Sequence, residues 1–133
     1  MIRYDPFSLR LSSPLGTAAG RIEKRRGFVV RVESDGYRGI GEAAPLPGWT
    51  ESYDDCEAAL SSAAGGGGAD NSATTDPVDR IDGATPAARH GVELAWADAR
   101  ARAAGESVAA WLADGPPADS VPVNATVGDA TVE

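Results

Sequence analysis

The chain has few of the residues that usually mark a reactive centre. Its 133 residues include one cysteine, Cys56, one histidine, His90, and one lysine, Lys24. A lone cysteine excludes an intramolecular disulfide and gives no sign of a secreted, cross-linked scaffold. His90 falls in the first turns of an expected helix, with no Ser, Cys or Asp arrangement to make it a base, so it reads as a surface or packing residue. Positive charge is scarce as well. A net charge of −8 and a pI near 4.5 argue against nucleic-acid or anionic-membrane partners, and the short run Lys24-Arg25-Arg26 is too small to reverse that. No long apolar run is present, and charge enters at Arg3 and Asp5, so neither a signal peptide nor a spanning helix is expected and a soluble cytoplasmic protein is the default. The glycines Gly65 to Gly68 lack the Lys-Ser/Thr of a phosphate loop, and Asp76, Asp79 and Asp82 lack the spacing and central glycine of a calcium loop.

What is present fits one α+β domain. The length suffices to bury a core and falls short of the roughly 250 residues of an eight-stranded α/β barrel. Abundant Ala, Gly and Arg with dispersed acids suit a high-salt cytoplasm, or equally a GC-rich coding bias. Alternation predicts a strand over Ile2 to Leu11, a loop over Ser12 to Thr17, and a second strand over Arg21 to Ser34 with Phe28, Val30 and Val32 on one side. Asp35-Gly36 signals a hairpin into a third strand, Tyr37 to Ala43, where Gly39 and Gly41 suggest close backbone approach or a bulge.

Ser52 and Asp55 approximate a capping box for a helix to about Ala64, with Tyr53, Cys56, Ala59 and Leu60 on one face; Cys56 is core. Residues 65–83 read as a flexible loop with a short turn near Val78 to Ile81. Thr85 as N-cap and Pro86 open a helix that Gly105 stops, with Glu93 and Asp98 expected to anchor it. Val108 to Ala113 should carry Trp111 and Leu112 into the core. Gly115-Pro116-Pro117 reads as a domain boundary. Val121 to Val127 has strand composition, and Gly128 to Glu133 resembles a turn and N-cap.

Three segments, in order, carry a resemblance. Gly39-Ile40-Gly41-Glu42-Ala43-Ala44-Pro45-Leu46-Pro47-Gly48-Trp49-Thr50-Glu51-Ser52 resembles the third strand and following loop of o-succinylbenzoate synthases. Glu93-Leu94-Ala95-Trp96-Ala97-Asp98, with Gly105 and Leu112, is similar to the closing helix of the capping domain in the mandelate racemase and muconate lactonizing branch of the enolase superfamily. Val121-Pro122-Val123-Asn124-Ala125-Thr126-Val127-Gly128 looks like that family's first barrel strand.

The resemblance implies an enolase-like capping domain over residues 1–117, a three-stranded antiparallel meander followed by helices, and over 118–133 the start of a truncated (α/β)7β barrel. It implies two cap loops at the active site, here Pro14 to Gly20 and Pro45 to Thr50. Thr17, Leu46, Pro47, Gly48 and Trp49 would then line the substrate, with Thr126 on the barrel strand; Trp49 reads equally as a packing residue under its loop. The activity implied is Mg2+-dependent dehydration of 2-succinyl-6-hydroxy-2,4-cyclohexadiene-1-carboxylate to o-succinylbenzoate for menaquinone synthesis, a small-molecule carboxylate taken through the barrel. The family's catalytic lysines and metal ligands lie on later strands, and no lysine follows Lys24, so no catalytic residue is assigned, no metal is expected on this chain alone, and a separate barrel fragment is a candidate partner.

Glu42, before the rigid loop, reads as a structural hydrogen-bonding residue. Alternatives within the superfamily are an N-acylamino acid racemase, a dipeptide epimerase or a muconate cycloisomerase. An alternative of another class is a non-catalytic binding module derived from the cap.

Overall fold

The computed structural model describes residues 1–17, 20–65, 77–113 and 115–123. Its sheet has three antiparallel strands in the order β1-β2-β3, formed by β1 (Ile2–Thr17), β2 (Gly20–Ser34) and β3 (Tyr37–Ala43). The helices are α1 (Tyr53–Gly65), α2 (Pro86–Ala104) and α3 (Val108–Leu112), with a short 3-10 turn at Pro77–Arg80. This is the α+β meander-then-helices order expected from the pattern of turns and periodicity.

The sheet buries one face. Phe28, Val30 and Val32 of β2 are at most 2% exposed, as their alternation requires. Tyr4 meets Phe28 edge-on, and the Tyr53 ring lies 4.6 Å from that of Phe28, tilted by 30°. At the β2-β3 hairpin Asp35 and Gly36 both take positive φ, 51° and 82°, the geometry of a primed turn that suits the strand twist.

Helix α2 crosses this face at the two glycines of β3. A Cβ on Gly39 would lie 1.8 Å from the Ala95 carbonyl oxygen, and one on Gly41 2.1 Å from that of Gly91. Both glycines therefore serve close approach, the first of the two expected roles. Asp98 completes the contact: it accepts from the Ile40 N–H at 2.9 Å, taking a donor that points away from β2. Gly105 ends α2 in the left-handed conformation, with its own N–H and that of Glu106 returned to Arg102 and Ala101.

Several expectations are corrected. The loop expected over Ser12 to Thr17 is strand: after a register shift between Arg10 and Leu15, pairing resumes with Leu15 opposite Ile22, so the Ser-Ser-Pro run is absorbed as an irregularity rather than a chain reversal. Thr85 occupies the N-cap position of α2 without a side-chain cap; its hydroxyl donates to the Asp82 carbonyl instead. Trp111 and Leu112 do not enter the core. No residue of α3 is buried, Leu112 is 63% exposed, and Trp111 stacks edge-on against Trp96, because five residues present too short a face to be enclosed. Glu42 lies on the outer face, exposed, and its side chain makes no hydrogen bond among the described residues. Val121 and Val123 are exposed and unpaired in any sheet; the rest of the expected barrel strand, including Thr126, lies outside the described residues, as does most of the 65–83 loop.

Cys56 is wholly buried on α1. Burial, then the nearby Glu51 charge and a hydrogen bond to it, and last Glu57, push its thiol from 9.0 up to about 12. Between those values the folded chain retains a proton that the unfolded chain releases, so folding stability falls as pH rises from 9.0 to about 12. Urea titrations across this range should show the decline in wild type and a flatter profile in Cys56→Ala; identical profiles would reject the assignment.

Candidate functional site

The antiparallel register puts the two segments expected as cap loops at one end of the sheet: residues 14–17, found as strand, with Ala18 and Ala19 outside the described residues, and residues 45–50. Because Ala43, the last residue of β3, pairs with Phe28, the part of β2 from Gly20 to Gly27 pairs only with β1. These strands continue as a two-stranded arm about 25 Å long, at 3.4 Å per residue. The chain leaving β3 therefore turns into the 44–52 loop beside the base of this arm. At the arm's tip Thr17 pairs with Gly20 and its hydroxyl donates to the Gly20 carbonyl at 2.8 Å.

The loop is a rigid turn. Trp49 N–H and Thr50 N–H both donate to the Leu46 carbonyl at 2.9 Å, and Thr50 Oγ1 accepts from Leu46 N–H at 2.7 Å. Pro47 and Gly48 fill the two central positions, with Gly48 at φ 93°, the residue pair a type II turn demands. Pro45 beneath the turn is buried and Leu46 half-buried, while Trp49 projects outward, 83% exposed. Of the two roles open to Trp49, packing under the loop is thus ruled out within the described chain. A large apolar side chain held out on a rigid turn loses little freedom when it meets a ligand.

Both ends of the turn are fastened. Before it, Arg25 of the arm donates through Nη2 to the Ala44 carbonyl at 3.1 Å. After it, Glu51 reaches the start of α2, where its two carboxylate oxygens accept from Ala87 N–H at 3.0 Å and Ala88 N–H at 2.8 Å. Glu51 is 8% exposed and does the capping expected of Thr85, a favourable place for a negative charge. One residue further, Ser52 caps α1 by accepting from Asp55 N–H at 3.1 Å, as its spacing predicts. Arg26 lies 3.8 Å over the ring of Tyr53, the first residue of α1. Arg25, Arg26 and Glu51 were not among the expected site residues. For Glu51 the one available signal was an acid following a turn; its target, 36 positions on, leaves no local pattern.

The expected residues are thus divided by the fold. Leu46, Pro47, Gly48 and Trp49 share one turn, Thr17 lies at the far tip of the arm, and Thr126 is outside the described residues. His90 is exposed on α2, and among the described residues no group of three His, Cys, Asp or Glu side chains converges to hold a metal. No helix is long and apolar enough to cross a membrane.

Comparison with known proteins agrees with this architecture. The chain is 37% identical over 87 residues to the o-succinylbenzoate synthase of Thermosynechococcus vestitus, a match covering 65% of this chain and 26% of that protein. The crystal structure of o-succinylbenzoate synthase from Thermosynechococcus elongatus BP-1, complexed with Mg in its active site, superposes with a TM-score of 0.59 at 33% identity, over 71% of this chain and 28% of that one. A mandelate racemase/muconate lactonizing protein from Herpetosiphon aurantiacus gives 0.60 at 27% identity, covering 78% and 31%. An enolase family member from Agrobacterium tumefaciens with homology to dipeptide epimerases gives 0.62 at 21% identity, covering 86% and 34%, and shows the fold alone. The chain spans about a quarter of the length of the curated relative it matches. The model of the family MenC, N-terminal domain, matches residues 4–99, so this chain belongs to the family of o-succinylbenzoate synthase N-terminal domains within the enolase superfamily.

Proposed function

We propose that this chain is the capping part of an o-succinylbenzoate synthase and supplies the apolar wall of its substrate site. The observation that carries the reading is Trp49, held outward on a turn fastened at both ends. Leu46, Pro47 and Gly48 form the same wall, and Thr17 at the arm's tip and Thr126 on a first barrel strand complete it. Residues 1–117 form the cap and 118–133 lead into the barrel, and the protein works in the cytoplasm.

The reaction is the dehydration of 2-succinyl-6-hydroxy-2,4-cyclohexadiene-1-carboxylate to o-succinylbenzoate in menaquinone biosynthesis, a lyase reaction. When bound, Mg2+ stabilises the negative charge that develops as the proton beside the carboxylate leaves. The ligands of that ion and the general base would lie on the barrel; among the described residues no group of three His, Cys, Asp or Glu could hold it. This chain's contribution is to bind and orient the ring and to exclude water from it. On its own the chain is inactive.

The test is turnover of the cyclohexadiene substrate with Mg2+, by the chain alone and after addition of an o-succinylbenzoate synthase barrel fragment. Turnover in the mixture, above that of the barrel alone, supports the reading. Failure to raise the barrel's turnover rejects it, and racemisation of an N-acylamino acid in place of dehydration would move the chain to a neighbouring activity of the superfamily.

A further inference from the structure

The exit of β3 interlocks with β2 at one point, between the arm and the Trp49 turn. Gly27 of β2 pairs with Phe7 of β1 and, by alternation with the buried Phe28, faces away from the core. The space a side chain would take at Gly27 is already filled. A Cβ there would lie 2.4 Å from the Ala43 carbonyl oxygen and 2.8 Å from Cζ of the Phe7 ring. The last carbonyl of β3 thus passes directly over Gly27, a close approach that only glycine permits.

Arg25 shares that face, two residues along β2. Strand β3 ends at Ala43, Pro45 has no N–H to continue a ladder, and the Ala44 carbonyl between them takes its donor from Arg25 Nη2 at 3.1 Å. From there the path to the indole is short and stiff. Pro45 is buried with its φ fixed by the ring, and the Leu46 carbonyl after it accepts from Trp49 N–H at 2.9 Å. A two-stranded ribbon such as the arm is marginal on its own, and this joint is what ties it to the turn.

We infer that Arg25 and Gly27 are positioning residues for Trp49: the joint they make with Ala43 and Ala44 holds the turn in a fixed place against the arm, so the indole meets a substrate already placed. Both act through the turn and neither touches the substrate. The inference rests on the proposed function for what the indole meets, whereas the joint stands on contacts within this chain. Arg25 holds the exit of β3 by a hydrogen bond and Gly27 by leaving room for it. Removing the contact and adding bulk should therefore have the same outcome, and Gly27→Ala changes no charge, which separates position from electrostatic attraction.

The test begins with the chain alone, labelled with 15N, and measures order parameters of the Gly48 and Trp49 amides and of the Trp49 indole N–H, assigned with Trp49→Phe. In wild type the turn amides should match the rigid strands at about 0.85, and Arg25→Met and Gly27→Ala should each lower them toward about 0.6 while Val30 and Val32 stay rigid. The same variants are then assayed with the cyclohexadiene substrate, Mg2+ and a barrel fragment. Each should raise KM by about fivefold, the net worth of one hydrogen bond, with kcat unchanged, the pattern of lost binding rather than lost chemistry. The double variant should do no more than the larger single one, because both break one joint. Arg25→Lys, which keeps a cationic donor, should recover part of the affinity. Lys24→Gln, which removes an equal charge from the opposite face of the arm, should change neither reading. Arg25 is half-buried outside the core, so Arg25→Met carries the test even where Gly27→Ala unfolds the chain.

Unchanged order parameters in the folded variants overturn the joint, whether or not the mixture turns over. A loosened turn with KM unchanged overturns the positioning role, and Trp49→Ala then assigns the failure: with KM raised there, the joint alone falls; with KM unchanged there as well, the proposed wall falls. Equal rises in KM for Arg25→Met and Lys24→Gln, with none for Gly27→Ala, assign the effect to charge and overturn the inference.

Discussion

Replacing Gly39 by alanine should destabilise the fold by about 3 kcal/mol or more, beyond the usual cost of a small overpacking change. The reason is the identity of the neighbours. The added Cβ would meet the Ala95 carbonyl oxygen at 1.8 Å and the Ala99 nitrogen at 2.4 Å, and both are backbone of α2, which no rotamer change can move aside. The helix must lift from the sheet, and Val92 and Ala95, wholly buried beneath it, lose their contacts together. Asp98 would also be drawn off the Ile40 N–H, leaving the outer edge of β3 uncapped. Gly16, where an added methyl would meet nothing within 4 Å and φ is not positive, is the matched control. Thermal unfolding should fall by roughly 10 °C for Gly39→Ala and by little for Gly16→Ala; equal effects would show that α2 does not seat on the glycines.

Glu51→Ala should be nearly as damaging, at about 2–3 kcal/mol, since it strips two charge-assisted hydrogen bonds from the buried first turn of α2 and leaves the Ala87 and Ala88 donors without a partner. Thr85→Ala should cost no more than about 0.5 kcal/mol, because its hydroxyl caps nothing. This order reverses what sequence capping rules give, and denaturant titration of the two variants decides it. A larger loss for Thr85→Ala would contradict the assignment of the cap to Glu51. Glu51 also borders the Trp49 turn, so its loss should loosen the turn as well as the helix.

These two sites show where the sequence was informative. Gly39 and Gly41 interrupt the third strand at a spacing of two, so a close approach on one face was legible before the partner was known. The Asp35-Gly36 turn, the Ser52 cap and the Gly105 stop were legible for the same reason: each is a local backbone requirement met by a residue type. What was not legible depends on contacts distant in sequence. Ser12-Ser13-Pro14 has the composition of a loop, and only pairing with β2 beyond the register shift makes it strand. Glu51 finds its donors across the fold, and α3 is exposed because nothing described lies over it, which its apolar sequence hides.

At the site, Leu46-Pro47-Gly48-Trp49 announced both the turn and its family, but not that Trp49 points outward, nor that Arg25 and Glu51 fasten the turn. Phe7 and Gly27 became neighbours only through the register.

The most direct test of the chain as a substrate-binding cap is the Trp49→Ala variant in the mixture with a barrel fragment. Trp49 is 83% exposed, so its removal should leave the melting temperature of the chain unchanged while raising KM for the cyclohexadiene substrate by roughly tenfold, the size expected for loss of an aromatic anchor worth about 1.4 kcal/mol. An unchanged KM in a folded, complementing variant would contradict the role of the turn as the substrate's apolar wall.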